Sequence, residues 1–204
     1  MQNLYLTYLK PLIDKILAIL VLTITLPLFL LILLILVFVN NGNPFFFQKR
    51  PGKNGTLFWI IKFKTMNDRM GSNGKYLPET ERITKFGSYL RKYSMDELPQ
   101  ILNVLKGEMS WVGPRPLLVE YLPLYSQSQL KRHEVLPGIT GWAQIKGWNS
   151  ISWESKFKFD IWYVEHVSLW LDFKILIKTL FLVVFPTRKK RDKPNFEKFT
   201  GDQK

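Results

Sequence analysis

An uncharged run from Ile16 to Val39, mostly Leu, Ile and Val with Pro27 near its middle, constrains this chain more than any other feature. Its length would allow one membrane helix of ~20 residues. No small-residue cleavage site follows it, so it does not read as a removable signal peptide. Pro27 has no N–H to donate and bends a helix that contains it. Each arm of roughly 12 residues would reach ~18 Å at ~1.5 Å per residue, a little over half of a ~30 Å hydrocarbon core. Lys10 and Lys15 precede the run, and Lys49, Arg50 and Lys53 follow it. Under the positive-inside rule that favours both ends on the cytoplasmic side. A kinked, re-entrant helix hairpin satisfies length, proline and charge together. A plain span is the equal alternative, because spanning helices tolerate proline kinks.

With 204 residues, the chain is one domain plus an appendage. It has no cysteine, which excludes disulfides and thiolate zinc sites. His133 and His166 are the only imidazoles, and neither has a metal-ligand partner at i+3 or i+4. Acid–base and metal work therefore falls to carboxylates. The net charge of +13 is spread along the chain with no recognisable nucleic-acid module. An anionic membrane surface, or substrates carrying several phosphates, account for it equally well.

Ser94 to Pro116, SMDELPQILNVLKGEMSWVGPRP, carries the chemistry. Leu98, Ile101, Leu102 and Leu105 mark one face of a helix, with Gly107 as its stop. Ser94 and Glu97 fit a Ser-x-x-Glu capping box; Pro99 fits better if Asp96 is itself the cap. Either way Asp96 and Glu97 sit where a helix start keeps carboxylates ionised, as a nucleophile or a magnesium ligand must be. Helix capping alone is the bland meaning of such a pair. Gly113-Pro114-Arg115-Pro116 changes it: two prolines stiffen the segment that carries Arg115, and a rigid guanidinium suits bidentate contact with phosphate. Acids for a divalent cation and a fixed arginine point to phosphoryl transfer.

Elsewhere the pattern predicts a hairpin with strands at Pro44–Gln48 and Leu57–Lys62 around Lys53-Asn54-Gly55. Asn67–Leu77 reads as a polar loop. Glu79–Tyr93 reads as a helix with Ile83, Phe86 and Leu90 inward, and Leu117–Val135 as largely helical. Pro137 to Trp142 is a glycine-rich turn region. Trp153, Phe157, Asp160, Ile161 and Val164 form a core-facing helical stripe, and Leu169–Phe185 an interfacial or core helix. Thr187–Lys204 is a basic tail that need not be ordered.

In this order, the central-Pro helix, Gln48-Lys49-Arg50-Pro51-Gly52, Lys62-Phe63-Lys64-Thr65-Met66, Asp96-Glu97-Leu98, Val112-Gly113-Pro114-Arg115-Pro116 and Pro137-Gly138-Ile139-Thr140-Gly141-Trp142-Ala143-Gln144 resemble the small monotopic bacterial phosphoglycosyl transferases. The resemblance runs from about residue 8 to 185. It implies a mainly α fold with a small β-hairpin, in the minimal, single-domain form. A kinked re-entrant membrane helix (1–40) would join a compact membrane-interface catalytic domain (41–186) with amphipathic interfacial helices, and the basic tail would occupy 187–204. It implies transfer of a sugar-1-phosphate, an N-acetylated hexosamine derivative, from a UDP-sugar to undecaprenyl phosphate with release of UMP. Asp96 would match the nucleophile and Glu97 the neighbouring acid, the two holding Mg²⁺. Arg115, with Lys62 and Arg91, would match the phosphate-binding cations. The place would be the cytoplasmic face of the bacterial inner membrane, against its anionic leaflet, with no nucleic acid and with self-association left open.

Three positions depart from the family pattern. Leu26 stands where a Ser often precedes the proline, leaving Thr23 or Thr25 to supply a hydroxyl to the freed carbonyls. Pro11 replaces an Arg, leaving Lys10 as the head-group anchor. Gly147-Trp148-Asn149 replaces Gly-Arg-Asn, so that position is not carried over as a binding residue. Two other classes compete: a membrane-tethered, catalytically inactive adaptor with the same fold, and a single-pass protein with a basic nucleic-acid-binding domain. Retention of Asp96, Glu97 and Arg115 together argues against the first, and the absence of a basic stripe against the second.

Overall fold

A computed structural model describes residues 4–147, 150–185 and 198–201. After a π-helical turn at Tyr5–Leu9, helix α1 (Lys10–Val39) runs through Pro27 without a break. Tyr5–Val39 is long and apolar enough to cross a membrane. The carbonyl that loses its partner to Pro27 belongs to Thr23, four residues back. The expected rescue does not occur there: Thr23 Oγ1 donates to the Ile19 carbonyl (2.9 Å) and Thr25 Oγ1 to that of Val21 (2.7 Å). Such bonds to the preceding turn bend a helix slightly.

Both arms of α1 lie on the same domain. Ala18, Val21 and Leu22 pack with Phe58, Ile60, Ile101, Val104 and Met109. Phe29, Ile32 and Leu36 pack with Phe63 and Leu90. These positions recur at helical spacing and form one face, while Ile16, Ile24, Leu31 and Phe38 are exposed. Residue 40 therefore marks a turn in the chain, and the core continues across it.

The hairpin forms as its pattern predicts and runs further, to Pro51. Strands β1 (Phe45–Pro51) and β2 (Leu57–Phe63) are antiparallel, with Phe45 opposite Phe63 and Pro51 opposite Leu57. Asn54 and Gly55 take the left-handed conformation that such a turn requires. The helix expected over Glu79–Tyr93 is two helices, α2 (Glu79–Arg82) and α3 (Lys85–Lys92). Ile83 is extended and bridges Met66, and the Thr84 side chain then caps α3 by accepting from the Gly87 N–H (2.9 Å).

Helix α4 (Gln100–Lys106) ends at left-handed Gly107, as expected. Beyond it the chain makes a second sheet that local patterning does not announce. β3 (Ser110–Val112) pairs in parallel with β4 (Gly138–Thr140). Leu117–Val135 is less helical than its composition suggests: a 3₁₀ stretch at Val119–Leu124, one turn of α5 (Gln127–Leu130) and a 3₁₀ turn at Lys131–His133. Helices α6 (Trp142–Lys146), α7 (Trp153–Glu165) and α8 (Leu169–Val184) complete the described elements.

Lys10, expected as a head-group anchor, is only 5% exposed and pairs with Asp172 (2.5 Å). Asp172 also accepts from Tyr5 and Tyr163, each at 2.7 Å. The polar base of α1 is thus tied to α8. In the region read as a basic tail, Phe199 is buried among Tyr121, Tyr125, Trp153 and Phe157. Most of Thr187–Lys204, together with Trp148 and Asn149, lies outside the described residues.

Candidate active site

The acids lie in a 3₁₀ turn, Met95–Glu97, between α3 and α4, not in the first turn of α4. Neither expected cap forms. Ser94 adopts left-handed φ of 56° and makes no capping bond, and Pro99 occupies the N-cap of α4. The turn is seated by its neighbours instead, since Met95 and Leu98 pack against the Phe29–Phe63–Leu90 cluster. Apolar residues on either side of Asp96-Glu97 fix the direction in which the two carboxylates leave the backbone.

Glu97 is buried and held by two cations. Its Oε1 accepts from Lys62 Nζ (2.7 Å) and Arg115 Nη2 (2.5 Å), and its Oε2 accepts from Arg115 Nη1 (3.3 Å). Lys62 comes from β2, which buried Asn103 of α4 pins by accepting from the Ile61 N–H (3.1 Å) and donating to the Trp59 carbonyl (2.7 Å). Burial would push the Glu97 carboxyl up, but Arg115 and then Lys62 outweigh it and hold it well below the usual carboxylate range. Arg115 is shifted upward: its burial opposes the charged form, and Glu97 more than offsets that. Lys62 goes the other way, because burial outweighs the help of Glu97.

Asp96 differs. Among the described residues it accepts no side-chain hydrogen bond. Its carboxyl is pushed up by burial and then by the negative charge of Glu97, against the pull of Lys62, Arg91 and Arg115. Two adjacent carboxylates thus have opposite environments: one gripped by two cations, the other without a side-chain hydrogen bond among the described residues. Arg91 stands apart from the Lys62–Glu97–Arg115 knot. Its Nε donates to Thr65 Oγ1 (2.9 Å) and it lies 3.9 Å from Glu79, so only its charge reaches Asp96.

Three glycines seat the Arg115 segment. A Cβ on Gly138 would lie 2.1 Å from the Gly113 nitrogen, one on Gly113 2.3 Å from the Leu136 carbonyl oxygen, and one on Gly141 2.2 Å from the Gly113 carbonyl oxygen. No side chain fits where these backbones meet. Arg132 then fixes the segment from beneath. It is 2% exposed, reaches Asp160 through Nε (3.1 Å) and Nη2 (2.8 Å), and donates from Nη2 to the Arg115 carbonyl oxygen (2.7 Å). Sequence reasoning missed Arg132, whose only signal is an arginine whose acid lies 28 positions away.

As for a metal, no group of three or more His, Cys, Asp or Glu side chains gathers among the described residues. The donor set does not make an all-protein cage. One or two carboxylates are enough only for a Mg²⁺ ion that takes its other ligands from water or phosphate oxygens.

The chain belongs to the bacterial sugar transferase family, whose model matches residues 5–186. It is 54% identical to EpsL of Bacillus subtilis, named an uncharacterized sugar transferase, over 78% of this chain and 80% of that one. It is 39% identical to the exopolysaccharide production protein ExoY of Sinorhizobium fredii, over 82% and 81%. With the UDP-glucose:undecaprenyl-phosphate glucose-1-phosphate transferase of Xanthomonas campestris it shares 40% identity over 86% of this chain, which spans only 38% of that protein.

Proposed function

We propose that the chain transfers a sugar-1-phosphate from a UDP-sugar to undecaprenyl phosphate in two covalent steps. In the first, an Asp96 carboxylate oxygen attacks the β-phosphorus. The bond from that phosphorus to the bridging oxygen breaks, and UMP leaves. In the second, a phosphate oxygen of the lipid attacks the same phosphorus, releasing the Asp96 carboxylate and giving the polyprenyl diphosphate sugar. The observation that carries this reading is the contrast between Asp96, which has no hydrogen-bond partner among the described residues, and Glu97, gripped by Lys62 and Arg115. Covalent catalysis lets a soluble and a lipid substrate use one site in turn.

Lys62 and Arg115 neutralise charge that builds on the transferring phosphoryl group. Asp96 and the one Glu97 Oε2 lone pair left by Arg115 would hold Mg²⁺, whose chemistry would be to polarise phosphoryl oxygens. Arg91 adds longer-range positive charge. Of the relatives whose printed names carry a sugar, the Xanthomonas protein names glucose and the Streptococcus agalactiae protein galactose. The sugar is therefore sought among UDP-hexoses as well as UDP-N-acetylhexosamines.

The seating of both arms of α1 on one domain supports a re-entrant helix, with the domain on the cytoplasmic face of the inner membrane. The exposed Trp170, Phe173, Ile177, Leu180 and Phe181 of α8 suit an interfacial helix.

The test is to incubate the protein with single UDP-sugars and no lipid. UMP should appear in one equivalent, with a phospho-sugar mass adduct on the peptide carrying Asp96, and Asp96→Asn should give neither. Full turnover by the Asn variant, with no deamidation, would sink the assignment.

A further inference from the structure

Arg50 sits in the Gln48-Lys49-Arg50-Pro51-Gly52 motif at the end of β1 and has no role in the steps above. Its Nη2 donates to Gln48 Oε1 (2.5 Å), while its Nε is buried without a hydrogen-bond partner. Among the described residues no carboxylate lies within ion-pair distance of it. Among the described residues, the other arginines that are not exposed each have one: Arg82 with Asp68, Arg115 with Glu97 and Arg132 with Asp160. A guanidinium half-buried without a counter-charge is costly, and such an arrangement persists where something else supplies the charge.

The place where Arg50 is held connects it to the site. Two consecutive residues of the Lys131–His133 turn reach in both directions. His133 Nδ1 bonds the Gly52 carbonyl oxygen (3.0 Å), two residues beyond Arg50, and Arg132 Nη2 bonds the Arg115 carbonyl oxygen (2.7 Å). Since a carbonyl only accepts, Nδ1 carries the proton. Burial and then Arg132 push His133 down to about 4, so it adds no charge at neutral pH. Arg50 itself is lowered to about 10, by burial and then by the charge of Arg115, and stays cationic. Arg50 and Arg115 are therefore held by one scaffold, and the charges of Arg115 and Glu97 both reach Arg50.

We propose that Arg50 is a second phosphate-binding guanidinium of this site, donating its Nε–H to a phosphoryl oxygen. The inference rests on the phosphoglycosyl reading above. Its phosphate comes either from the nucleotide diphosphate or from the polyprenyl phosphate, two sources with the same recognition chemistry.

The experiment uses the full chain as wild type, Arg50→Gln and Arg50→Lys. It measures thermal shifts with inorganic pyrophosphate and with UDP, and KM for each substrate. Loss of one charged hydrogen bond should raise one KM about tenfold in the Gln variant, with a smaller rise for Lys. A raised UDP-sugar KM and a lost UDP shift assign the nucleotide diphosphate; a raised lipid KM alone assigns the lipid phosphate. Both KM values and the pyrophosphate shift staying within about twofold of wild type would overturn the proposal. Should Arg50→Gln fail to fold, Arg50→Lys keeps the charge, lacks the Nε donor and decides the matter alone. If wild type releases no UMP from any UDP-sugar yet its pyrophosphate shift needs Arg50, the proposed reaction fails and the anion site stands.

Discussion

Glu97 spends its two oxygens on Lys62 and Arg115, and that expenditure makes the two cations stationary. Arg115→Lys keeps a charge but loses the planar fork that meets both Glu97 oxygens, so we expect kcat/KM to fall by about 1.5–3 kcal/mol. Near-normal kinetics would make Arg115 a packing residue. Asp96 and Glu97 have opposite pH signatures. The Asp96 carboxyl is raised by burial and by Glu97, so its ionised form costs stability at neutral pH, and that cost disappears as pH falls through the raised value. The Glu97 carboxyl is lowered by Arg115 and Lys62 against its burial. Its contribution is complete above the unfolded value of ~4.3 and is lost as pH falls through the folded one. Asp96→Asn should therefore melt higher than wild type at pH 7, with the gap closing on acidification. A gap that widens in acid contradicts this sign. For the same reason UMP release should fall with a midpoint above the ~3.9 of a free aspartate.

At the scale of elements, α1 is the unusual one. It contains Pro27, yet its two arms bury one continuous face, from Ala18 through Phe29 and Ile32 to Leu36, on one domain. Single cysteines placed before Lys10 and after Asn43, on a background that has none, should both react from the cytoplasmic side with an impermeant thiol reagent. Labelling from opposite sides would leave an ordinary span. Pro27→Leu should give the Thr23 carbonyl back its helical partner, move the N-terminus toward the far side and lower activity as the domain loses its seat.

Over the whole molecule, the base of α1 is joined to α8 by a buried polar knot of Tyr5, Lys10, Tyr163 and Asp172. Replacing Asp172 with Asn leaves the Lys10 ammonium buried without its counter-charge. The expected loss is about 3–5 kcal/mol, read by thermal unfolding in detergent. The double change Lys10→Met with Asp172→Leu should recover part of that loss, because it removes the unpaired ammonium while leaving the Tyr5 hydroxyl without its acceptor and buried Asp14 without the Lys10 charge. Equal losses in the single and double variants would show that packing, not charge, sets the cost.

Features that depend on near neighbours are legible in the order of the amino acids alone. The apolar run, the Asn54-Gly55 turn between alternating strands, the stop of α4 at Gly107 and the inward stripe of Phe157, Asp160 and Val164 all follow from local spacing and backbone preference. The same holds for the acid pair and the proline-braced arginine as candidates. Their surroundings come from contacts between residues distant in the chain. Ser94 took a left-handed turn in place of a cap because Met95 and Leu98 are drawn into the core. Lys10 became an ion-pair partner instead of a membrane anchor because Asp172, 162 positions away, comes to meet it. The parallel pairing of β3 with β4, the glycine contacts beneath Arg115, the grip of Arg132 and the burial of Phe199 likewise join residues far apart in the chain. Periodicity reports which face of an element is apolar, whereas the partner of a buried charge is set by the path of the chain in three dimensions.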